Sequence, residues 1–208
     1  TFDGALDLRG IWAPDGSRVV FQSNRKGVND LYWKLSSGAG ADELVLASDQ
    51  TKAPTDWSSD GRFLLFRTID PQTGYDLWAL PLFGDKKPFP FLKTPFEERD
   101  GQFSPDGKWI AYQSNESGRF EVYVQPFPGP GGKFQISTNG GGQPRWSRNG
   151  KELFYREGNQ IMVVDFNAGK PGSPHILFAA PGSAIANNPT RHQLAVSTDC
   201  QRLLFRVP

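Results

Sequence analysis

The 208 residues carry 23 Lys and Arg against 22 Asp and Glu, a net charge of +1 with both signs interspersed, so no bulk charge draws the chain to nucleic acid or anionic lipid. A chain of this length can bury roughly 70% of its unfolded surface, ample for a stable core. The single Cys200 rules out an intrachain disulfide and leaves the redox compartment open, and the longest apolar run, residues 77–83, is interrupted by Pro81 and far too short to span a membrane.

An aromatic residue followed by a Ser-Pro-Asp-Gly tetrad, or a decayed copy of one, recurs along the chain. The copies are Trp12-Ala13-Pro14-Asp15-Gly16, Trp57-Ser58-Ser59-Asp60-Gly61, Phe103-Ser104-Pro105-Asp106-Gly107 and Trp146-Ser147-Arg148-Asn149-Gly150, with an eroded fifth at Val196-Ser197-Thr198-Asp199-Cys200. Steps of 45, 46, 43 and 50 residues separate them. A period in this range marks stacked supersecondary units, and about 40–50 residues supply four strands. The expectation is an all-β fold, a β-propeller of four-stranded antiparallel blades, with repeats at about 9–54, 55–98, 99–142 and 143–190 and a partial fifth at 191–208, in one domain.

In each repeat a short first strand carries the aromatic residue and runs into a tight turn. Pro presets φ, Asp bonds back to its own backbone, and Gly accepts the positive φ that closes the hairpin. Second strands follow at 18–22 (Arg-Val-Val-Phe-Gln), 63–67 (Phe-Leu-Leu-Phe-Arg), 108–114 (Lys-Trp-Ile-Ala-Tyr-Gln-Ser), 152–156 (Glu-Leu-Phe-Tyr-Arg) and 202–206 (Arg-Leu-Leu-Phe-Arg). Third strands are expected at 30–35, 76–82, 120–127 and 160–166, and 133–137 closes the third unit. Runs this apolar fit strands covered on both faces, as blades packed between neighbours are. No stretch of ten residues shows a 3.6 period, and 17 Pro and 23 Gly punctuate the chain, so helix should be nearly absent. The fifth repeat stops after two strands, and residues 1–8 could supply a third as a ring-closing device. Either five units close a small ring or the chain is part of a larger propeller, the reading favoured here because a two-strand blade leaves an open edge, which also allows self-association.

Because the aromatics before each turn (Trp12, Trp57, Phe103, Trp146) recur with the period, they are expected to fill the space between blades rather than to form a stacking surface for sugars or bases. The turn residues Asp15, Asp60, Asp106 and Asn149 are expected to close turns, since Asn does so as well as Asp. Residues just before each aromatic differ between repeats and border the central channel of a propeller. The candidate binding residues are therefore Arg9, Asp56, Arg99, Asp100, Gln102, Gln143, Arg145, Arg191 and His192, suited to a polar peptide or a small anion.

No cofactor or metal is expected: His175 and His192 stand apart without a Cys partner. No catalytic residues are expected either. There is no Gly-x-Ser-x-Gly elbow, and Gly129-Pro130-Gly131-Gly132-Lys133-Phe134 lacks the Ser or Thr of a phosphate loop and reads as a hairpin loop. Gly140-Gly141-Gly142 reads as a connecting loop. Asp56, Glu97, Glu98 and Asp100 are the acidic residues that a glycosidase would have to bring together.

The stretches Trp57-Ser58-Ser59-Asp60-Gly61-Arg62-Phe63-Leu64-Leu65-Phe66 and Phe103-Ser104-Pro105-Asp106-Gly107-Lys108-Trp109-Ile110-Ala111-Tyr112, with Asp30-Leu31-Tyr32 and Asp76-Leu77-Trp78 from the third strands, resemble the Pro-Asp-Gly repeat of the TolB-type β-propeller family, a relative of the WD repeat. More narrowly, Val122-Tyr123-Val124-Gln125-Pro126-Phe127-Pro128-Gly129 and Gln143-Pro144-Arg145-Trp146 are similar to propeller regions at the C-terminal end of bacterial Ser/Thr protein kinases. The resemblance implies a non-catalytic sensor or protein- or peptide-binding module outside the cytoplasm, in the periplasm by the TolB likeness, with no membrane insertion by this segment. The gating propeller of a prolyl-oligopeptidase-like serine peptidase uses similar repeats and is the alternative.

Overall fold

The computed structural model describes residues 4–129 and 131–179, together with the backbone of 194–196 and 203–205. The chain divides into two compact units, residues 1–98 and 99–208. In the first, β1 (Asp7–Trp12), β2 (Arg18–Lys26), β3 (Val28–Leu35) and β4 (Glu43–Leu46) form one sheet in chain order, and β5 (Lys52–Trp57), β6 (Phe63–Asp70), β7 (Gly74–Pro81) and β8 (Phe89–Leu92) form a second. In the other unit, β9 (Glu98–Phe103), β10 (Trp109–Ser114), β11 (Glu121–Pro126) and β12 (Phe134–Gln135) make the third sheet. The fourth runs β13 (Gly142–Trp146), β14 (Glu152–Glu157), β15 (Gln160–Asn167), with β16 (Lys170–Pro171) and β17 (His175–Ala179) both pairing with β15. β18 (Leu194–Val196) and β19 (Leu203–Phe205) form a hairpin. The sheets are antiparallel, and the described residues contain no helix. β1 includes Asp7 and Leu8, paired with Ser23 and Gln22.

A side-chain relay closes the turn between the first two strands of a sheet. Ser58 Oγ donates to Asp60 Oδ1 at 2.7 Å and accepts the Phe63 N–H at 2.8 Å; Ser104 does the same with Asp106 and Trp109 (2.6 and 3.0 Å), and Ser147 with Asn149 and Glu152 (2.8 and 2.9 Å). The same Oδ1 atoms accept the N–H groups of Arg62, Lys108 and Lys151. Asn149 serves as well as Asp because the turn needs an acceptor oxygen at this point, not a charge. In the first sheet Ala13 replaces Ser, and Asp15 Oδ1 instead holds both N and Oγ of Ser17, at 2.9 and 2.7 Å. Gly16, Gly61, Gly107 and Gly150 take φ near 70°, where a Cβ would be strained.

Burial on both faces follows from the packing of sheet on sheet. Leu64, Leu65 and Phe66, successive residues of β6, are all buried, as are Ile110, Ala111 and Tyr112 of β10 and Leu153, Phe154 and Tyr155 of β14. In the first unit Val20 and Leu31 meet Leu64, Phe66 and Leu80, with Trp33 and Trp57 at the margin. In the second, Ala111, Val122 and Val124 meet Trp146, Leu153, Tyr155 and Val164.

Trp146 and Trp57 do lie between adjacent sheets. Trp146, 6% exposed, packs edge-on against Phe166 at 4.9 Å, and Trp57 stacks parallel to Trp33 of the preceding sheet at 6.4 Å. Phe103 is buried against Phe127 at 5.0 Å. Trp12 departs from the expectation: its indole is 63% exposed. Trp57 and Trp146 meet side chains of the sheet before their own, whereas Phe103 is covered by Phe127 from the loop after β11 of its own sheet.

Candidate functional site

The expected site residues sit on the first strands of the sheets, and those strands share an irregularity. Arg9, Asp100 and Gln143, each three residues before the aromatic, have φ of 57°, 50° and 54°, a left-handed conformation that non-glycine residues seldom adopt. The register slips at the same place, between Leu8 and Ile11 on β1 and between Gly142 and Arg145 on β13. The second sheet has Pro54 at this position, which cannot take positive φ, and its slip falls between Pro54 and Asp56. The first strands β1, β5 and β13 therefore each carry a bulge, which re-aims the side chains beside it. Arg9 and Gln143 give no signal of this by residue type; Asp100 gives a weak one, because Asp is depleted in strands and enriched at positive φ.

Within the first unit, Arg9 and Asp56 are half-buried on β1 and β5, strands that pack side by side. Within the second, Arg99 is half-buried with its guanidinium 4.6 Å from the Phe120 ring, and Asp100 is buried. Gln102 and Gln143 are tied into the scaffold: Gln102 Oε1 accepts the Trp146 N–H at 2.9 Å, and the Gln143 N–H donates to Gln113 Oε1 at 3.1 Å. Two glutamine side chains thus bind the backbone of β13 to the third sheet. Arg145 is half-buried, with Nη1 2.6 Å from the Pro144 carbonyl. Arg191 and His192 lie outside the described residues. The run Gly140-Gly141-Gly142 is more than a connector. A Cβ on Gly141 would lie 2.3 Å from Ser137 Oγ and one on Gly142 2.4 Å from Gln113 Oε1, so only glycine admits the approach that brings Gln113 to β13.

Sequence reading noted Asp30 and Asp76 near the start of third strands but missed that both are buried and that Glu121 is a third acid of the set. The spacing of 46 and 45 residues is the signal that could have joined Glu121 to them. Each acid is held differently. Asp30 Oδ1 accepts from Lys52 Nζ at 2.8 Å and from the Ser48 N–H at 3.3 Å. Glu121 accepts from Arg119 Nε and the Gly140 N–H at 2.7 and 2.9 Å, and from Ser137 Oγ. Asp76 has the Thr73 hydroxyl at 3.1 Å on one oxygen, and burial pushes its carboxyl above the usual range.

Asp70, half-buried at the end of β6, shows the opposite shift. Lys93 Nζ at 2.8 Å and the Gln72 N–H at 2.9 Å hold its carboxyl down to about 2 from 3.8. A lowered pKa in the folded state adds stability above the unfolded value that is lost as pH falls through the folded one. Lys93→Met is therefore expected to melt below the parent at neutral pH, with the gap closing as pH falls from about 4 to about 2, as thermal melts across that range would show.

Comparison of the whole fold decides the architecture. A structure described as a TolB from Agrobacterium tumefaciens superposes with a TM-score of 0.70 at 18% identity, over 85% of this chain and 67% of that one. The fold is that of a TolB-like β-propeller. TolB from Acinetobacter baumannii matches 96% of this chain and 53% of its own, with a TM-score of 0.68 and 19% identity. A structure from work on two prolyl endopeptidases matches 94% of this chain but only 30% of its own, with a TM-score of 0.62 and 15% identity. The chain thus spans about half to two thirds of the TolB structures and under a third of the endopeptidase. No family model and no curated protein sequence matches it. Among the described residues no helix is long and apolar enough to cross a membrane.

Proposed function

We propose that this propeller is a non-catalytic module that binds a protein or peptide through the first strands of its blades. The observation that carries the reading is the bulge shared by those strands. An otherwise repetitive scaffold holds Arg9, Asp100 and Gln143 in a costly backbone conformation and surrounds them with polar side chains that differ from blade to blade. Strain of this kind concentrates where proteins bind, and variation on a constant frame is what selective recognition needs. Asp56, Arg99 and Arg145, half-buried, are the side chains best placed to contact a polar chain. Arg191 and His192 belong to the same set by position in the repeat.

Selection of a displayed random-peptide library on the purified chain, followed by calorimetry, tests this. Binders are expected that lose about tenfold or more in affinity, about 1.4 kcal/mol, with Asp56→Ala or Arg145→Ala. Binders indifferent to both variants, or turnover of a substrate by the isolated chain, would overturn it.

The likeness to the endopeptidase structure favours a second reading, the gating propeller of a serine peptidase. The parent gene separates the two. A following α/β-hydrolase domain with Gly-x-Ser-x-Gly makes it a gate, whereas a preceding kinase domain and membrane span make it an extracytoplasmic sensor. We take the module to work outside the cytoplasm, in the periplasm on the TolB likeness, and to be capable of self-association, which light scattering of the purified chain would measure.

A further inference from the structure

The turn between β1 and β2 and the turn between β5 and β6 border a cleft of about 580 Å³ in the first unit. Its lining includes Asp15, Ser17, Arg18, Trp33, Trp57 and Asp60. Both indoles are half-buried, their planes within 8° of parallel and their centroids 6.4 Å apart. Each ring nitrogen is already used: Trp33 Nε1 donates to Glu43 Oε2 at 2.9 Å and Trp57 Nε1 to the Gly61 carbonyl at 3.2 Å. Those bonds fix the ring orientations and leave no free indole N–H to offer a ligand, so what the pair presents is ring surface, part of it on Trp33 covered by the Arg18 guanidinium that a stacking ligand would displace.

The rim is polar and already ordered. All the turn bonds of Asp15 and Asp60 go to Oδ1, so the turns themselves hold both carboxylates in place. Arg18 lies 4.4 Å and Lys86 5.9 Å from the Trp33 ring centre. An anionic ligand would meet Asp15 and Asp60, and a cationic one would meet Arg18.

The second unit carries a cleft at the same place in the repeat, about 430 Å³, lined by Asp106, Trp109, Asn149 and Phe166. There Trp109 is packed edge-on against Phe166 at 5.3 Å and tilted against Phe134 at 6.1 Å. The groove is a product of the repeat; the parallel pair of tryptophans is particular to the first unit.

From this geometry we infer that the first-unit cleft binds a neutral β-linked oligosaccharide. Such a chain presents flat C–H faces for the indoles and a fringe of equatorial hydroxyls for the carboxylates and the guanidinium. A proline-rich peptide would use the tryptophans but leave that dense polar rim largely unmatched. The inference is independent of the peptide-binding proposal, which uses the first-strand bulges.

The test is calorimetry of the purified chain with cellohexaose and chitohexaose, beside polygalacturonate and a proline-rich dodecapeptide. Saturable binding of one neutral hexasaccharide is expected with a Kd of about 1 mM or tighter, weakened at least about tenfold by Trp33→Ala. The double variant Asp15→Asn, Asp60→Asn keeps the turns closed, as Asn149 does in the fourth sheet, and should weaken binding while the melting curve stays near the parent's. Trp12→Ala, which alters an exposed indole outside the cleft, should bind as the parent does. No saturable binding of either hexasaccharide, equal binding by the Trp33 and double variants, or binding of the peptide or polygalacturonate instead would overturn the assignment.

Discussion

Lys52→Ala is expected to cost about 3–5 kcal/mol of folding stability, the range for breaking a buried ion pair by removing one partner. Lys52 is 1% exposed, and its ammonium is shared among Asp30 Oδ1 at 2.8 Å, the Ser48 carbonyl at 3.1 Å and the Gln50 carbonyl at 2.5 Å. Alanine strands a buried carboxylate and deprives two carbonyls of their donor. For a chain of this size the loss corresponds to a fall in melting temperature of about 10 °C. One further measurement identifies the cause. The double variant Lys52→Met, Asp30→Leu should recover most of the loss, because the isolated charge and not the missing pair carries the cost. A loss that persists undiminished in the double variant would show that Lys52 acts through packing alone.

Trp146→Ala should cost a similar amount, about 3–5 kcal/mol, while Trp12→Ala should cost under about 0.5 kcal/mol. The two residues occupy the same position in the repeat and differ in what lies against them. Trp146 is packed among Ala111, Val124 and Phe166, and its Nε1 has no hydrogen-bond partner among the described residues. Only packing is lost on truncation, so Trp146→Phe should restore a large part of it. Trp12 has most of its surface in water. Chemical denaturation of the three variants checks the contrast, and equal losses at positions 12 and 146 would contradict the packing described above.

The repeat was legible because its signals are local. Pro105, Asp106 and Gly107 state a turn by their own backbone preferences, and Leu64-Leu65-Phe66 states a strand buried on both sides. The fate of Trp12 was not legible, because burial depends on a neighbouring sheet and not on the residue. The bulges at Arg9 and Gln143 were hidden for a related reason: an αL conformation imposed by the sheet leaves no trace in residues that tolerate ordinary strands equally well. Gln102 and Gln143 looked like ligand contacts, yet the Gln102 side chain accepts from the Trp146 backbone and the Gln143 backbone donates to the Gln113 side chain, architectural work that a list of polar residues cannot reveal. The tryptophan cleft depends on Trp33 and Trp57, which stand 24 residues apart on different sheets and meet only when those sheets stack.

The four hairpin closures also differ in their tolerance of acid. Asp15 and Asp60 are held below the ordinary carboxylate range, Asp15 chiefly by Ser17; at Asp60 burial is the largest single effect and pushes upward, and the Ser58 hydroxyl, the Arg62 N–H and the Arg62 charge together outweigh it. Protonation at low pH would remove the charge that strengthens those bonds. Asn149 has no proton to gain there and closes the fourth hairpin through a neutral carboxamide. In strong acid the corners at Asp15 and Asp60 should loosen while the one at Asn149 keeps its grip, so that closures built on one plan would fail at different points along the pH scale.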